Sequence, residues 1–382
     1  MISLYPTFYH TFQCKANQCH HTCCQKWTID VDEETAKLYQ TLPTPLGEDL
    51  RKFMTVDDEG YYFMFSDKQP TCPLLREDGL CRVVLELGED SLCDTCHMHP
   101  RFYKYIEDLE LCGVGLSCEE SVEKLLATEG DQLLFTIEDD DGEFTAEDRP
   151  VLENIFDLLA LGINPAICQF TLNHSIRYCQ KLISVYKETE PIDEEWTKQL
   201  AHLEDMLSST TAMNTTDLLT LDAQETATLN KVYQYILYRQ IDMLAEYSLE
   251  SLVRYAFDAT VFIALLTHQF GNLPEQIRRW SEQIEYDEDN VSFLFDAYEK
   301  ATMDVVDRIL YGYTVKAIAM DVGNNLNIHL TLEPYGKVVQ SLETTVNYGN
   351  ISPYGRSLID ADLGNVKPRL EQMLLGASLD SL

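Results

Sequence analysis

Ten of the chain's 12 cysteines lie between Cys14 and Cys118, and they are the residues best suited to chemistry. They run as Cys14-x4-Cys19-x3-Cys23-Cys24, then Cys72 and Cys81 across a turn at Glu77-Asp78-Gly79, then Cys93-x2-Cys96, Cys112 and Cys118. In a reducing compartment, thiols at this density read as a metal site rather than a disulfide framework. Cys19 and Cys23 are four apart and Cys93 and Cys96 three apart, so on a helical turn each pair shares a face. Ser117-Cys118-Glu119-Glu120 reads as a capping box with Ser117 as cap. That places Cys118 in a first helical turn, where open N–H groups favour a thiolate.

The spacing does not choose the metal. Only Cys93 and Cys96 form a CxxC pair, so the two-pair pattern of a zinc finger is missing. Ferredoxin spacing is missing too, and Lys26 stands where the CxxxCxxC of radical enzymes would end. Iron–sulfur and zinc both stay open on these grounds. Adjacent Cys23 and Cys24 are not expected to bind one iron; one serves the cluster while the other packs or serves a second site. His20, His21, His97 and His99 flank the cysteines and read as neighbours of the site more than as ligands. His97-Met98-His99-Pro100-Arg101 reads as a turn beside the cluster, with Arg101 near the thiolates. Cys168 and Cys179, alone inside helical sequence, read as small buried hydrophobes.

Composition narrows the partners. Lys and Arg number 28 against 64 Asp and Glu, a net charge of -36 that argues against nucleic acid and anionic membrane. A cationic or lysine-presenting partner fits better. Residues Met1 to Pro6 lack a basic region followed by an apolar run, and the apolar stretch from Val261 to Phe270 is too short for a bilayer. The expectation is a cytoplasmic protein with reduced thiols.

The elements that must position the cysteines are mostly helical. Residues 1–128 form the cysteine-rich region, 129–149 an acidic linker around Glu138-Asp139-Asp140-Asp141-Gly142-Glu143, 150–313 a helical domain and 314–382 a C-terminal extension. Asn164-Pro165 reads as a cap opening a helix to about Lys187, with Ile176, Cys179, Ile183 and Tyr186 on one face. Further helices are expected from Glu225 to Tyr247, Leu249 to Phe270, Pro274 to Tyr286 and Asn290 to Leu310. Leu326, Ile328, Leu330 and Leu332 alternate with polar residues, a strand signal after a turn at Gly323-Asn324-Asn325. The expected fold class is mainly α: an irregular, cysteine-rich metal-binding N-terminal region packed on a C-terminal helical domain, with a short β element after residue 313.

Four stretches carry a family resemblance. They are Phe12-Gln13-Cys14 through Cys23-Cys24-Gln25-Lys26-Trp27; Cys72-Pro73-Leu74-Leu75 through Gly79-Leu80-Cys81; Thr95-Cys96-His97-Met98-His99-Pro100-Arg101; and Leu116-Ser117-Cys118-Glu119. Together they resemble the bacterial flagellin lysine-N-methylases, within a wider group carrying a zinc- or iron-chelating cysteine domain. Ile284-Glu285-Tyr286-Asp287-Glu288-Asp289-Asn290 is similar to that family's Ile-Glu-His-x-x-x-Asn stretch, with Tyr286 in place of histidine. The similarity runs from about residue 8 to 300, and the segment from about Tyr311 has no counterpart.

The resemblance implies an iron–sulfur cluster of the 4Fe–4S type, S-adenosylmethionine as methyl donor and flagellin lysines as acceptors. It selects Cys14, Cys19, Cys23, Cys24, Cys72, Cys81, Cys96 and Cys118 as the metal set, with Cys93 and Cys112 as additions. A lysine ammonium, with a pKa near 10.4, must lose a proton before it can attack a sulfonium. Glu285, Tyr286 and Asp289 are the candidates for that acid–base work. Asn290, Arg101 and Tyr233 are the candidates for holding the cofactor, Tyr233 as an aromatic face for a cation. Gly113-Val114-Gly115 is too short for a nucleotide loop, so a Rossmann-type cofactor site is not expected. The resulting expectation is an iron–sulfur-dependent protein-lysine N-methyltransferase. The alternative is a non-catalytic zinc- or iron-binding adaptor or a redox protein.

Overall fold

The computed structural model describes residues 1–25, 27–58, 60–64, 70–139, 149–161, 163–170, 172, 176–209, 219, 221–300, 313–322, 325–334 and 340–347. The chain divides into two compact units. The first takes Met1–Glu129, Leu133–Pro150 and Gly271–Asp287; the second takes Gly130–Gln132, Val151–Phe270 and Glu288–Leu382. All ten clustered cysteines therefore belong to the first unit.

That unit opens with β1 (Ile2–Pro6), β2 (Ile29–Val31), α1 (Glu33–Thr41), α2 (Pro45–Phe53), β3 (Met54–Val56) and β4 (Tyr61–Phe63). It continues through α3 (Arg82–Leu87), α4 (Asp94–Met98), β5 (Arg101–Ile106), β6 (Leu109–Val114), α5 (Glu119–Leu126) and β7 (Phe135–Asp139). A four-stranded sheet has the order β5-β6-β1-β7, with β1 parallel to β6 and antiparallel to β7. Leu4, Leu109, Leu111, Phe135 and Ile137 are buried at alternate positions, which fixes the register by placing one face of each strand in the core. Strand β7 falls inside the stretch read as a linker, and residues 140–148 of that stretch lie outside the described residues.

A smaller sheet, β2-β4-β3, packs with α1 and α2 around Ile29, Val31, Tyr39, Leu46, Leu50 and Phe63. Asp32 starts α1 by accepting from Thr35 N at 2.8 Å, and Thr44 starts α2 ahead of Pro45. Gly47 is required at the α1–α2 contact, because a Cβ there would sit 2.3 Å from the Leu42 carbonyl oxygen. The expected turn at Glu77-Asp78-Gly79 is present, with Gly79 at φ +78° and its N–H on the Arg76 carbonyl at 2.9 Å.

The second unit contains α6 (Leu152–Leu158), α7 (Ile176–Tyr186), α8 (Glu194–Ser209), α9 (Ala223–Arg239) and α10 (Leu249–Phe270). The chain then returns to the first unit as α11 (Leu273–Gln283) and re-enters the second as α12 (Glu288–Lys300), followed by β8 (Tyr313–Val322), β9 (Asn325–Pro334) and β10 (Gln340–Asn347). Every residue of α10 from Ser251 to Leu266 is buried, so it is the central helix of this unit. Tyr186 stacks on Phe262 at 4.2 Å and Phe295 on Tyr255 at 4.8 Å, tying α7 and α12 to it. The mainly α class holds, and the alternating leucines at 326–332 lie in β9, paired with β8 and β10. Gly323 and Asn324 lie outside the described residues, as does the sequence from 301 to 310 that was expected to prolong α12.

Four local expectations are corrected. Asn164-Pro165 caps only the 3-10 turn Pro165–Cys168, and α7 starts at Ile176. The cause lies in α9: Asn230 accepts from Phe170 N at 2.6 Å, and Gln234 donates to the Cys168 carbonyl at 3.0 Å, taking backbone groups a helix would use. Helix α9 ends at Arg239, and Ile241–Ala245 is a 3-10 turn, short of the Tyr247 expected. Cys118, not Ser117, stands at the N-cap of α5, and no side chain caps that end. Cys19 and Cys23 share no helical turn, since Ala16–Gln18 is a single 3-10 turn and Cys19 is extended. Among the described residues no helix is long and apolar enough to cross a membrane.

Candidate functional site

Two sets of contacts gather the thiols. The first centres on Glu119, which follows Cys118 at the start of α5. One carboxylate oxygen accepts from Lys15 Nζ at 2.8 Å and lies 3.0 Å from His20 Nδ1; the other accepts from the backbone N–H of His20 at 2.8 Å and of His21 at 3.3 Å. Lys15 also reaches Glu123 at 2.7 Å. This clamp brings the loop carrying Cys14 and Cys19 against Cys118. Burial opposes ionisation of Glu119, yet Lys15 and His20 hold it down at about 2. Burial pushes Cys19 up to about 11, reinforced by Glu119 and Cys118 and opposed by Lys15. Burial likewise raises Cys118.

The second set follows the chain from Cys24. Cys72 N donates to the Cys24 carbonyl at 2.8 Å, and Gln25 pairs antiparallel with Thr71. Leu75 pairs with Cys81 across the Gly79 turn, and Arg82 N donates to the Leu74 carbonyl at 2.9 Å. Cys93 stands at the N-cap of α4 with Cys96 inside it. Cys72, Cys81, Cys93 and Cys96 pack into one apolar cluster with Leu74 and Val83. Burial raises Cys72 to about 12 and Cys81 above its ordinary value. The Cys96 thiol hydrogen-bonds to the Cys93 sulfur, raising Cys96 and lowering Cys93. In the same way the Cys23 thiol serves Cys24, which falls to about 7 while Cys23 rises.

All 12 cysteines are free thiols. Among the described residues no three His, Cys, Asp or Glu side chains converge tightly enough to hold a single metal ion. The donor chemistry nevertheless suits a thiolate-bound metal group: soft sulfur ligands only, unoxidised, delivered by separate segments. Binding one requires the thiol–thiol hydrogen bonds of Cys23–Cys24 and Cys93–Cys96 to give way. Cys112 lies apart, fully buried in β6 near Tyr5 and Glu110, and burial pushes it up to about 12. Cys168 and Cys179 are buried in the second unit, as expected of small hydrophobes.

The other candidates are dispersed. In the first unit, Glu285 is buried and accepts from Ser281 Oγ at 2.6 Å, while Tyr286 is 42 % exposed with its ring 5.9 Å from that of His99. Arg101 lies with its guanidinium 5.1 Å from the centre of the Phe12 ring. In the second unit, Asp289 is exposed in the first turn of α12. Asn290 is buried and clamps Glu190, accepting from its N–H at 2.8 Å and donating to its carbonyl at 3.0 Å. Tyr233 is buried with its hydroxyl on the Ile167 carbonyl. Asn290 and Tyr233 thus have polar groups committed to backbone.

Sequence reasoning passed over a row of rings in the first unit. Trp27 lies 5.5 Å from His99, which lies 5.9 Å from Tyr286, and Trp27 Nε1 donates to the Cys23 carbonyl at 2.7 Å. The available signal was position: Trp27 stands three residues after Cys24, and His99 three after Cys96. His99 ends α4 and β5 starts at Arg101, so the expected turn is there. His20 and His21 face carboxylates, His21 Nε2 lying 3.4 Å from Glu282.

No family model matches the chain, and no solved structure matches it. Three curated proteins do, each 28 % identical over 126 residues, or 32 % of this chain. They are the flagellar biosynthetic protein FliU of Salmonella muenchen and the lysine-N-methylases of Salmonella typhimurium and Salmonella choleraesuis. The match spans 75 % of FliU but only 31 % of each lysine-N-methylase. The chain is thus similar, over about a third of its length, to curated proteins named lysine-N-methylase and FliU.

Proposed function

We propose that the protein is a protein-lysine N-methyltransferase that moves a methyl group from S-adenosylmethionine to lysine side chains of flagellin, with an iron–sulfur cluster held by its N-terminal cysteines. The observation that carries this reading is the gathering of thiols from four separated segments into one unit, in a chain similar to proteins named lysine-N-methylase. The flagellar name of FliU supports a flagellar substrate.

The reaction forms a bond from the lysine nitrogen to the methyl carbon and breaks the carbon–sulfur bond, releasing S-adenosylhomocysteine and one proton. A cationic sulfonium is well held against aromatic faces, and the Trp27–His99–Tyr286 row supplies them beside Cys23. In this reading Glu285, which is buried and accepts from Ser281, or the partly exposed Tyr286 as its phenolate, would receive the ammonium proton. The cluster, when bound, would order the thiol segments and offer a Lewis-acidic iron to the methionyl end of the donor.

The test is anaerobic incubation of cluster-loaded protein with purified flagellin and methyl-labelled S-adenosylmethionine. Label recovered as N-methyllysine is the expected result. Iron-loaded protein that neither binds S-adenosylmethionine nor labels flagellin would leave only a metal-stapled adaptor.

A further inference from the structure

The four-stranded sheet of the first unit turns one face to the core, and its other face carries a pattern that the thiol segments do not use. Strand register sets Tyr105 opposite Glu110, Glu110 opposite Ser3 and Ser3 opposite Glu138, a row that crosses all four strands. The next row sets Tyr103 opposite Cys112 and Tyr5 opposite Thr136. Alternation places both rows on the side away from Leu4, Leu111 and Ile137. The 3-10 turn Tyr9–Thr11 adds two rings: Tyr9 and His10 lie 5.0 Å and 4.9 Å from Tyr5, and the Tyr9 and Tyr103 hydroxyls share a hydrogen bond of 2.7 Å. Ser3 Oγ donates to Glu110 at 2.7 Å and Tyr105 Oη at 2.8 Å, which holds that carboxyl below its ordinary value. Glu138 is exposed, 3.6 Å from His10 Nε2.

With their hydroxyls committed, Tyr103 and Tyr105 offer solvent their rings, 37 % and 62 % exposed, on the edge strand β5. Exposed rings beside carboxylates suit a lysine: the ring attracts the ammonium and packs on its methylene stem, while the carboxylate supplies counter-charge. Basic residues of β5 do not oppose this, since Lys104 lies on the other face by alternation and Arg101 sits over the Phe12 ring. The chain's charge of -36 turns away a second copy and draws a cationic segment.

Resting on the reading that the substrate is a lysine-bearing protein, we propose that this sheet face is a docking surface for a lysine-rich segment of that substrate, apart from the lysine that receives the methyl group. Tyr103, Tyr105, Glu110 and Glu138 hold the segment. Adjacent strands are about 4.8 Å apart, so the backbones of Glu110 and Glu138 stand about 10 Å from each other, and two lysines of one segment can each meet a carboxylate. Docking raises the local concentration of substrate without touching the reacting atoms. None of the four residues belongs to the Trp27–His99–Tyr286 row, so docking and transfer can be measured apart.

The experiment is calorimetric titration of the full chain at low ionic strength with a short peptide of alternating lysine and serine, and with the same peptide acetylated on every lysine. The lysine peptide should bind and the acetylated one should not. Tyr103→Ala with Tyr105→Ala should weaken binding about tenfold, and Glu138→Gln about threefold. Tyr103→Phe with Tyr105→Phe keeps the rings and should stay within about twofold of the parent. Glu194→Gln, an equal loss of charge in the second unit, should change nothing. Tyr105→Ala alone spares the Tyr9–Tyr103 bond and removes an exposed side chain, so its loss of about threefold does not hang on the fold of the double variant. No binding by the parent, equal binding by parent and alanine variants, or equal binding of the acetylated peptide would each overturn the proposal. With flagellin as methyl acceptor, the alanine variants should raise KM at unchanged kcat. Methyl transfer whose KM ignores these variants would overturn the docking surface and leave the methyltransferase reading intact. Peptide binding that follows the face in a protein that never methylates flagellin would do the reverse.

Discussion

Glu282 shows how a single side chain can set the acid limit of a unit. It lies on α11, its side chain 19 % exposed, with one oxygen 2.9 Å from Arg278 Nη1 and the other 3.4 Å from His21 Nε2. Burial works against its charge, but His21 and Arg278 hold it at about 2, below its ordinary 4.5. A carboxylate depressed in the folded state contributes stability that is complete above its unfolded value and is lost as pH falls towards the folded one. The contribution at pH 7 is on the order of 3 kcal/mol. We expect Glu282→Gln to lower the denaturant midpoint at pH 7, with the gap to the parent protein shrinking from pH 4.5 towards pH 2. Arg278 keeps Glu275 at 2.8 Å, so the variant loses one arm of a clamp rather than stranding a cation. A gap that stays constant with pH would show that Glu282 acts through shape and not through charge.

At the scale of elements, α10 carries the second unit, and its polar pair is the sensitive point. Asp258 is fully enclosed; it accepts from the Tyr178 hydroxyl and from Arg254 Nε at 3.3 Å, and Arg254 lies 5.0 Å from the centre of the Tyr298 ring. Burial raises the Asp258 carboxyl, with Arg254 opposing. Removing one partner of such a network leaves the other buried without its counter-charge, so Asp258→Ala should cost about 3–5 kcal/mol. Urea unfolding followed by circular dichroism measures it, and a loss under 1 kcal/mol would mean that water reaches Arg254. Helix α10 was also the element most legible in the sequence. Its bounds, Leu249 and Phe270, follow from a long apolar run closed by Gly271, and β9 follows from its alternating leucines. The N-terminal sheet was not legible, because strands of five or six residues pair with partners about a hundred positions away, as Ile2 does with Leu109 and Asp139. The thiol segments were legible by residue type, but their sorting was not: it depends on Glu119 reaching back to Lys15 and on Cys72 meeting Cys24. Asn164 misled for a related reason, since side chains from α9 claim the backbone after it.

At the scale of the whole molecule, charge decides. With 28 basic residues against 64 acidic ones, even complete pairing would leave 36 carboxylates without a cation. Their mutual repulsion disfavours the compact state, and salt screens it: the Debye length falls from about 30 Å at 0.01 M to about 8 Å at 0.15 M. Salt also weakens favourable pairs, but exposed ones such as Lys37–Glu33 and Lys187–Glu204 contribute little each. Relief of repulsion should therefore win. Raising NaCl from 10 to 200 mM should lift the melting temperature by a few degrees, about 1 kcal/mol or somewhat more for a chain of this size. A melting temperature that falls over this range would mean that paired charges outweigh unpaired ones. The same field would favour the proposed lysine-presenting substrate at a distance, so the salt that steadies the fold should slow its capture. Stability and encounter rate are thus expected to move in opposite directions along one salt titration.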